Sequence, residues 1–132
     1  MEDQAATQAD TSTSRKILIL LDNLFFAAKI NSAAAQANVH PIYAKTSAQA
    51  LVLALAERPI LIIVDLDETK CEPMEFLSQL KRDNELHRIP TLGFVSHVNI
   101  GVQQQAREAG CDRVMARSAF DRNLLTLFNQ NS

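Results

Sequence analysis

Three charged residues stand where apolar runs end, and their types together define a site for phosphate or metal chemistry. Asp65 follows Ile60-Leu61-Ile62-Ile63-Val64, Asp22 closes Ile17-Leu18-Ile19-Leu20-Leu21, and Arg117 follows Val114-Met115-Ala116. Carboxylates are hard oxygen donors for Mg²⁺ and can act as nucleophiles in covalent catalysis. A guanidinium is a forked donor matched to carboxylate and phosphate oxygens. The first two runs are too short to cross a bilayer and apolar enough for strands buried on both faces. Open α/β sheets gather their ligands outside the carboxyl ends of such strands. Asp22, Asp65 and Arg117 are therefore expected at one edge of one sheet.

The elements that must hold them there follow from the alternation of strand-like and helix-like segments after Lys16, which is the pattern of parallel βαβ units. Strands are expected at 16–21, 40–44, 60–64, 90–95 and 114–116, and helices at 24–36, 48–57, 73–86, 102–109 and 121–129. Thr46-Ser47 reads as a helix cap, Arg58-Pro59 as a stop, Pro73 as a first-turn residue and Gly110 as a helix end. Met74, Phe76, Leu77 and Leu80 form an apolar stripe on the third helix. Right-handed crossovers wind this order into a flavodoxin-like, doubly wound parallel sheet of five strands, order 2-1-3-4-5, with five helices on its faces.

The 132 residues make one domain, expected at 15–132. Residues 1–14, MEDQAATQADTSTS, have the polar composition of a flexible tail and lack the basic start and apolar stretch of a secretory signal. A net charge of −2 and a pI near 5.9 give no electrostatic footprint for nucleic acid or an anionic membrane. Cys71 and Cys111 are expected at opposite edges of the sheet, apart and reduced, which suits the cytoplasm.

Two stretches carry a family likeness: ILIIVDLDETKCEPMEFL, residues 60–77, and GCDRVMARSAF, residues 110–120. With Asp22-Asn23 after the first strand, they make the chain resemble the receiver domain of bacterial response regulators over residues 15–130. The resemblance implies a signalling protein of a two-component phosphorelay, not an enzyme. Asp65 would accept a phosphoryl group from a histidine kinase or phosphotransfer protein. Asp22, Asn23, Asp65 and the backbone carbonyl of Asp67 would hold Mg²⁺, and Arg117 with Ser96 would sense the phosphate. A stand-alone receiver would pass the signal on by docking to a downstream protein target.

The same resemblance brings departures. Asn23 stands where the family has a second acid, so weaker Mg²⁺ binding is expected. Val95 takes the place of the usual hydroxyl residue, with Ser96 one position late. Arg117-Ser118 replaces Lys-Pro, and Val114 replaces the switch aromatic. These departures support an alternative, a degenerate receiver that acts as a phosphorylation-independent interaction module.

Asp65, Asp67 and Thr69 also match the D-x-D-x-T motif of haloacid-dehalogenase-type phosphatases. Those enzymes carry the motif on the first core strand, with a long downstream region holding a further acid pair, and neither condition is met. A flavodoxin-type cofactor site would need a phosphate-binding loop after the first strand, where Asp22-Asn23-Leu24 stands. His97 is expected on the edge of Asp65, His40 and His87 on the opposite one, and Phe25 and Phe26 in the packing of the first helix.

Overall fold

The computed structural model describes residues 15–130; the expected tail at 1–14 lies outside them. In chain order the elements are β1 (Arg15–Leu20), α1 (Leu24–Ala37), β2 (Val39–Ala44), α2 (Ser47–Glu57) and β3 (Leu61–Asp65). After a 3₁₀ turn (Thr69–Cys71) come α3 (Pro73–Arg82), β4 (Thr91–Val95), α4 (Ile100–Glu108), β5 (Arg113–Ala116), α5 (Arg117–Arg122) and α6 (Leu124–Gln130). The sheet is parallel throughout with the order β2-β1-β3-β4-β5, as expected. Its register pairs Leu20 with Val64, Asp65 with Phe94 and Val95 with Ala116, which levels the carboxyl ends of the inner strands.

β3 is buried at every position, as its unbroken apolar run requires in a sheet covered on both sides. On one face Ile17, Ile19, Ile63, Leu92 and Phe94 pack against Phe26 and Ile30 of α1 and Phe120, Leu124 and Phe128 of α5 and α6. On the other Leu18, Leu20, Ile62 and Val64 meet Ala50 and Ala54 of α2, Phe76, Leu77 and Leu80 of α3 and Ala106 of α4. Full burial of a large apolar side chain contributes about 1.5–3 kcal/mol, so the fully buried Phe76, Phe94, Phe120 and Phe128 anchor both layers. Pro41, which cannot donate to a ladder, sits on the edge strand β2.

Helix ends differ from expectation where polar side chains intervene. The third helix, expected to run to residue 86, stops at Arg82. Asp83 adopts an extended conformation, and its Oδ1 accepts from the backbone N–H groups of Glu85 and Leu86, opening a turn. The fourth begins earlier because Asn99 caps it, accepting from Val102 N–H at 2.9 Å. The last helix is two pieces. With no proline after Arg117, the chain enters α5 directly from β5, and at Asn123 the side-chain amide donates to Ala119 O at 2.7 Å and bends the chain into α6.

Two details rigidify the sheet around its edges. At the amino edge Asp112 accepts the Thr91 N–H at 2.8 Å while the Thr91 hydroxyl accepts the Asp112 N–H at 2.9 Å, locking β4 to the start of β5. At the carboxyl edge Gly93 gives room to Leu66: a Cβ there would lie 2.7 Å from Leu66 Cδ1. Leu66 thus folds over β4, its N–H donating to Phe94 O at 2.9 Å, and steers the loop that follows Asp65.

Candidate functional site

Asp65 is the last residue of β3 and only 3 % exposed. Its Oδ1 accepts the backbone N–H of Asp67 at 3.0 Å, so the strand end turns back on itself. That turn presents Asp67 to β4, where the Ser96 N–H and hydroxyl both donate to Asp67 Oδ2 at 2.7 Å. Arg117, the first residue of α5, closes the group. Its Nη2 lies 3.5 Å from Asp65 Oδ1 and 3.3 Å from Asp67 Oδ2, bridging the two carboxylates. These distances are long for charge-assisted hydrogen bonds, so the attraction is mainly coulombic.

An aromatic shelf holds the guanidinium in place. Its central carbon is 5.3 Å from the ring centroid of Phe26 and 5.2 Å from that of Phe94, within cation–π reach of both. Phe26 meets Phe94 edge-on at 5.1 Å, and Phe94 stacks on Phe120 at 4.7 Å, so the shelf is continuous with the core. Arg117 Nε is buried with no hydrogen-bond partner among the described residues, a cost the ring contacts help offset. Beside Arg117 an open cleft of about 430 Å³ is lined by Phe26, Lys29, Ser96, His97, Ser118 and Asp121.

Burial pushes the Asp65 carboxyl above its ordinary range, outweighing the Asp67 amide and Arg117, which pull it down. For Asp67, burial acts upward, but the two Ser96 hydrogen bonds and Arg117 prevail and hold it below the usual range. Of the pair, Asp67 carries its charge the more readily. The Cys71 thiol is pushed up to about 11 by burial and by Glu68, Asp22 and Asp65, so it stays protonated and is no nucleophile. Cys111 is likewise buried and free.

The β1 corner is built differently. Asp22 and Asn23 are both exposed, and Asn23 Oδ1 accepts the Phe26 N–H at 3.2 Å as the cap of α1. Asp22 enters no hydrogen bond with another described residue. The strand ends thus bring Asp22, Asp65 and Arg117 to one edge, while side-chain contacts unite only Asp65, Asp67, Ser96 and Arg117. His97 is exposed in the cleft, and His40 and His87 are exposed elsewhere.

Phe25, expected to pack, is 91 % exposed, because α1 turns Phe26 and Ile30 to the sheet and its neighbour outward. Asp67 bonds through its backbone N–H to Asp65 and through its carboxylate to Ser96 and Arg117. The Phe26–Phe94 shelf was not anticipated. Its trace in the sequence is Arg117-x-x-Phe120, one helical turn apart, which sets the cation above the aromatic layer.

No family model matches the chain. The curated relatives are response regulators. A polar-differentiation response regulator, DivK, of Brucella anthropi is 24 % identical over 103 residues, covering 78 % of this chain and 84 % of that protein. DivK of Brucella melitensis is 23 % identical over 104 residues, covering 79 % and 85 %. Among solved structures, a response regulator from Hahella chejuensis superposes with a TM-score of 0.81 at 19 % identity, covering 89 % of this chain and 95 % of that one. The chemotaxis response regulator CheY4 of Vibrio cholerae gives 0.79 at 18 %, covering 91 % and 100 %. The chain thus has the fold of response-regulator receiver domains, at low sequence identity to them.

One neighbour, at a TM-score of 0.72 and 18 % identity over 88 % of this chain and 90 % of its own, is the Mn²⁺-bound form of response regulator Rcp1. The donors here do not fit such an ion. Asn23 is neutral and spent on a cap, Asp65 Oδ1 and Asp67 Oδ2 face Arg117, and no three metal-ligating side chains cluster among the described residues.

Proposed function

We propose that this receiver domain signals by docking to another protein and that its resting state already binds, without phosphorylation. The observation that carries this reading is the saturation of the sensing groups: Arg117 bridges Asp65 and Asp67, and Ser96 gives both its donors to Asp67. A phosphate switch works by drawing a cation and a hydroxyl toward new charge, and so biasing a two-state element. Where both are already docked on carboxylates, little difference remains for a phosphoryl group to exploit. Acetyl phosphate treatment followed by intact-mass measurement tests this: no gain is expected under conditions that modify an ordinary receiver.

A second reading keeps Asp65 as the acceptor of a phosphorelay, fed by a histidine kinase or phosphotransfer protein. It is favoured by Asp65 Oδ2, which makes no hydrogen bond with another described residue. In it Arg117 and Ser96 sense the charge, and a Mg²⁺ held weakly among Asp22, Asn23, Asp65 and Asp67 would first require Arg117 to leave the two carboxylates. A mass gain of one phosphoryl group, lost in Asp65→Asn, would establish this reading instead. A phosphatase role for Asp67 as free acid/base is not supported, since its carboxylate is held by Ser96 and Arg117. No helix among the described residues is long and apolar enough to cross a membrane. With both cysteines free, the cytoplasm is the proposed compartment.

A further inference from the structure

We infer that Arg117 is the resident cation of this site, holding Asp65 and Asp67 where related sites hold a divalent metal, and that it keeps metal out. The inference deepens the reading above, but it concerns which cation the carboxylates take and not whether Asp65 is ever phosphorylated. Three observations carry it.

The first is charge. Asp65 and Asp67 are the acids in contact at this corner, and the always-charged guanidinium already sits between them. A divalent ion there would meet that positive charge at close range. The second is the donor set. Mg²⁺ and Mn²⁺ favour oxygen ligands, and Mg²⁺ demands a near-octahedral shell. Asp67 Oδ2 already receives Ser96 N–H, Ser96 hydroxyl and Arg117, Asp65 Oδ1 receives Asp67 N–H and Arg117, and Asn23 Oδ1 caps α1; the oxygens left over, on Asp65, Asp67 and the exposed Asp22, belong to no metal-ligating cluster of three among the described residues.

The third is what keeps Arg117 from swinging aside. Its guanidinium lies over the rings of Phe26 and Phe94, and these rings are fixed in the core by Phe120. A lysine, a point charge on a flexible stem, would lack the planar group that stacks there. The arginine, the two phenylalanines and the paired carboxylates thus form one unit that supplies its own counter-ion.

The test is Mn²⁺ titration followed by paramagnetic broadening of amide signals, on wild type, Arg117→Met and Arg117→Lys. Methionine keeps an apolar stem over the rings and removes the charge. Wild type should show no selective broadening at Asp65–Thr69 at low-millimolar Mn²⁺. Arg117→Met should gain affinity about tenfold or more, the scale of removing one like charge a few ångströms away at the surface. Arg117→Lys should fall between, and adding Asp65→Asn to Arg117→Met should abolish the gain. Wild type binding Mn²⁺ at Asp65–Thr69 as tightly as Arg117→Met would overturn the inference. Should Arg117→Met fail to fold, selective broadening in wild type alone would overturn it, and its absence together with a gain in Arg117→Lys would support it. Acetyl phosphate labelling reads the proposed function separately, so either idea can fail alone.

Discussion

At the β1 corner of the carboxyl edge Asp22 and Asn23 face solvent, and among the described residues their side chains take part in one hydrogen bond, the helix cap in which Asn23 Oδ1 accepts from Phe26 N–H. At the β3–β5 corner Asp65 is buried, and Asp67, Ser96 and Arg117 interlock around it. The two corners lie at one sheet edge and draw on the same residue types, yet one is open and the other closed. The difference comes from where the loops run. Leu66, seated over Gly93, pulls the loop after β3 across β4 and brings Asp67 to Ser96. The chain after β1 enters α1 directly, so its polar residues serve the helix start. Strand-end acids are therefore not one pool of ligands.

Removing the shelf under Arg117 should have the largest effect. Phe94→Ala should cost about 3–5 kcal/mol by opening a cavity between the rings, and it should also free Arg117 from its carboxylates. Urea unfolding gives the first effect and amide shifts at Asp65–Asp67 the second; a stability loss with those shifts unmoved would separate shelf from site. Gly93→Ala attacks the loop path, because its Cβ would press into Leu66. Overpacking of this kind costs about 1–3 kcal/mol, and Ser96 should lose its bonds to Asp67, seen as faster amide exchange at Ser96.

The open corner can be sharpened with Asn23. Asn23→Ala should lose about 1 kcal/mol through the α1 cap, while Asn23→Asp should keep it. Asn23→Asp also adds a carboxylate at this corner, so Mg²⁺ should bind it more tightly than wild type. If that variant alone bound metal as well as Arg117→Met does, the β1 corner and not Arg117 would set the affinity.

The smallest effect is in pH. Burial raises the Asp65 carboxyl, so the folded state holds that proton more tightly than the unfolded chain. Its contribution to stability is full below the unfolded value and lost as pH rises through the folded one. Asp65→Asn should thus gain on wild type from acidic to neutral pH in paired urea melts. A relative loss over that range would mean Arg117 outweighs burial.

The sheet was legible because β-branched runs and the helical segments between them leave few windings open. Asp22, Asp65 and Arg117 could be set at one edge for the same reason. Side-chain partnerships were less legible, since they depend on loop geometry. Asp67 pointing to Ser96 follows from Leu66 filling the space over Gly93, a contact between residues far apart in sequence. Helix ends at Asp83 and Asn123 shifted because a carboxylate and an amide compete for backbone partners, which apolar periodicity does not register.

In the unmodified protein the β3–β5 corner is already closed. Amide chemical shifts recorded with and without beryllofluoride and Mg²⁺ test it most directly. Because Arg117 and Ser96 are already engaged, the segment from Val95 to Phe120 should shift only modestly, with changes confined to residues bordering Asp65. Large changes spreading through α4 and the β5 face would show an intact phosphate switch and contradict the account.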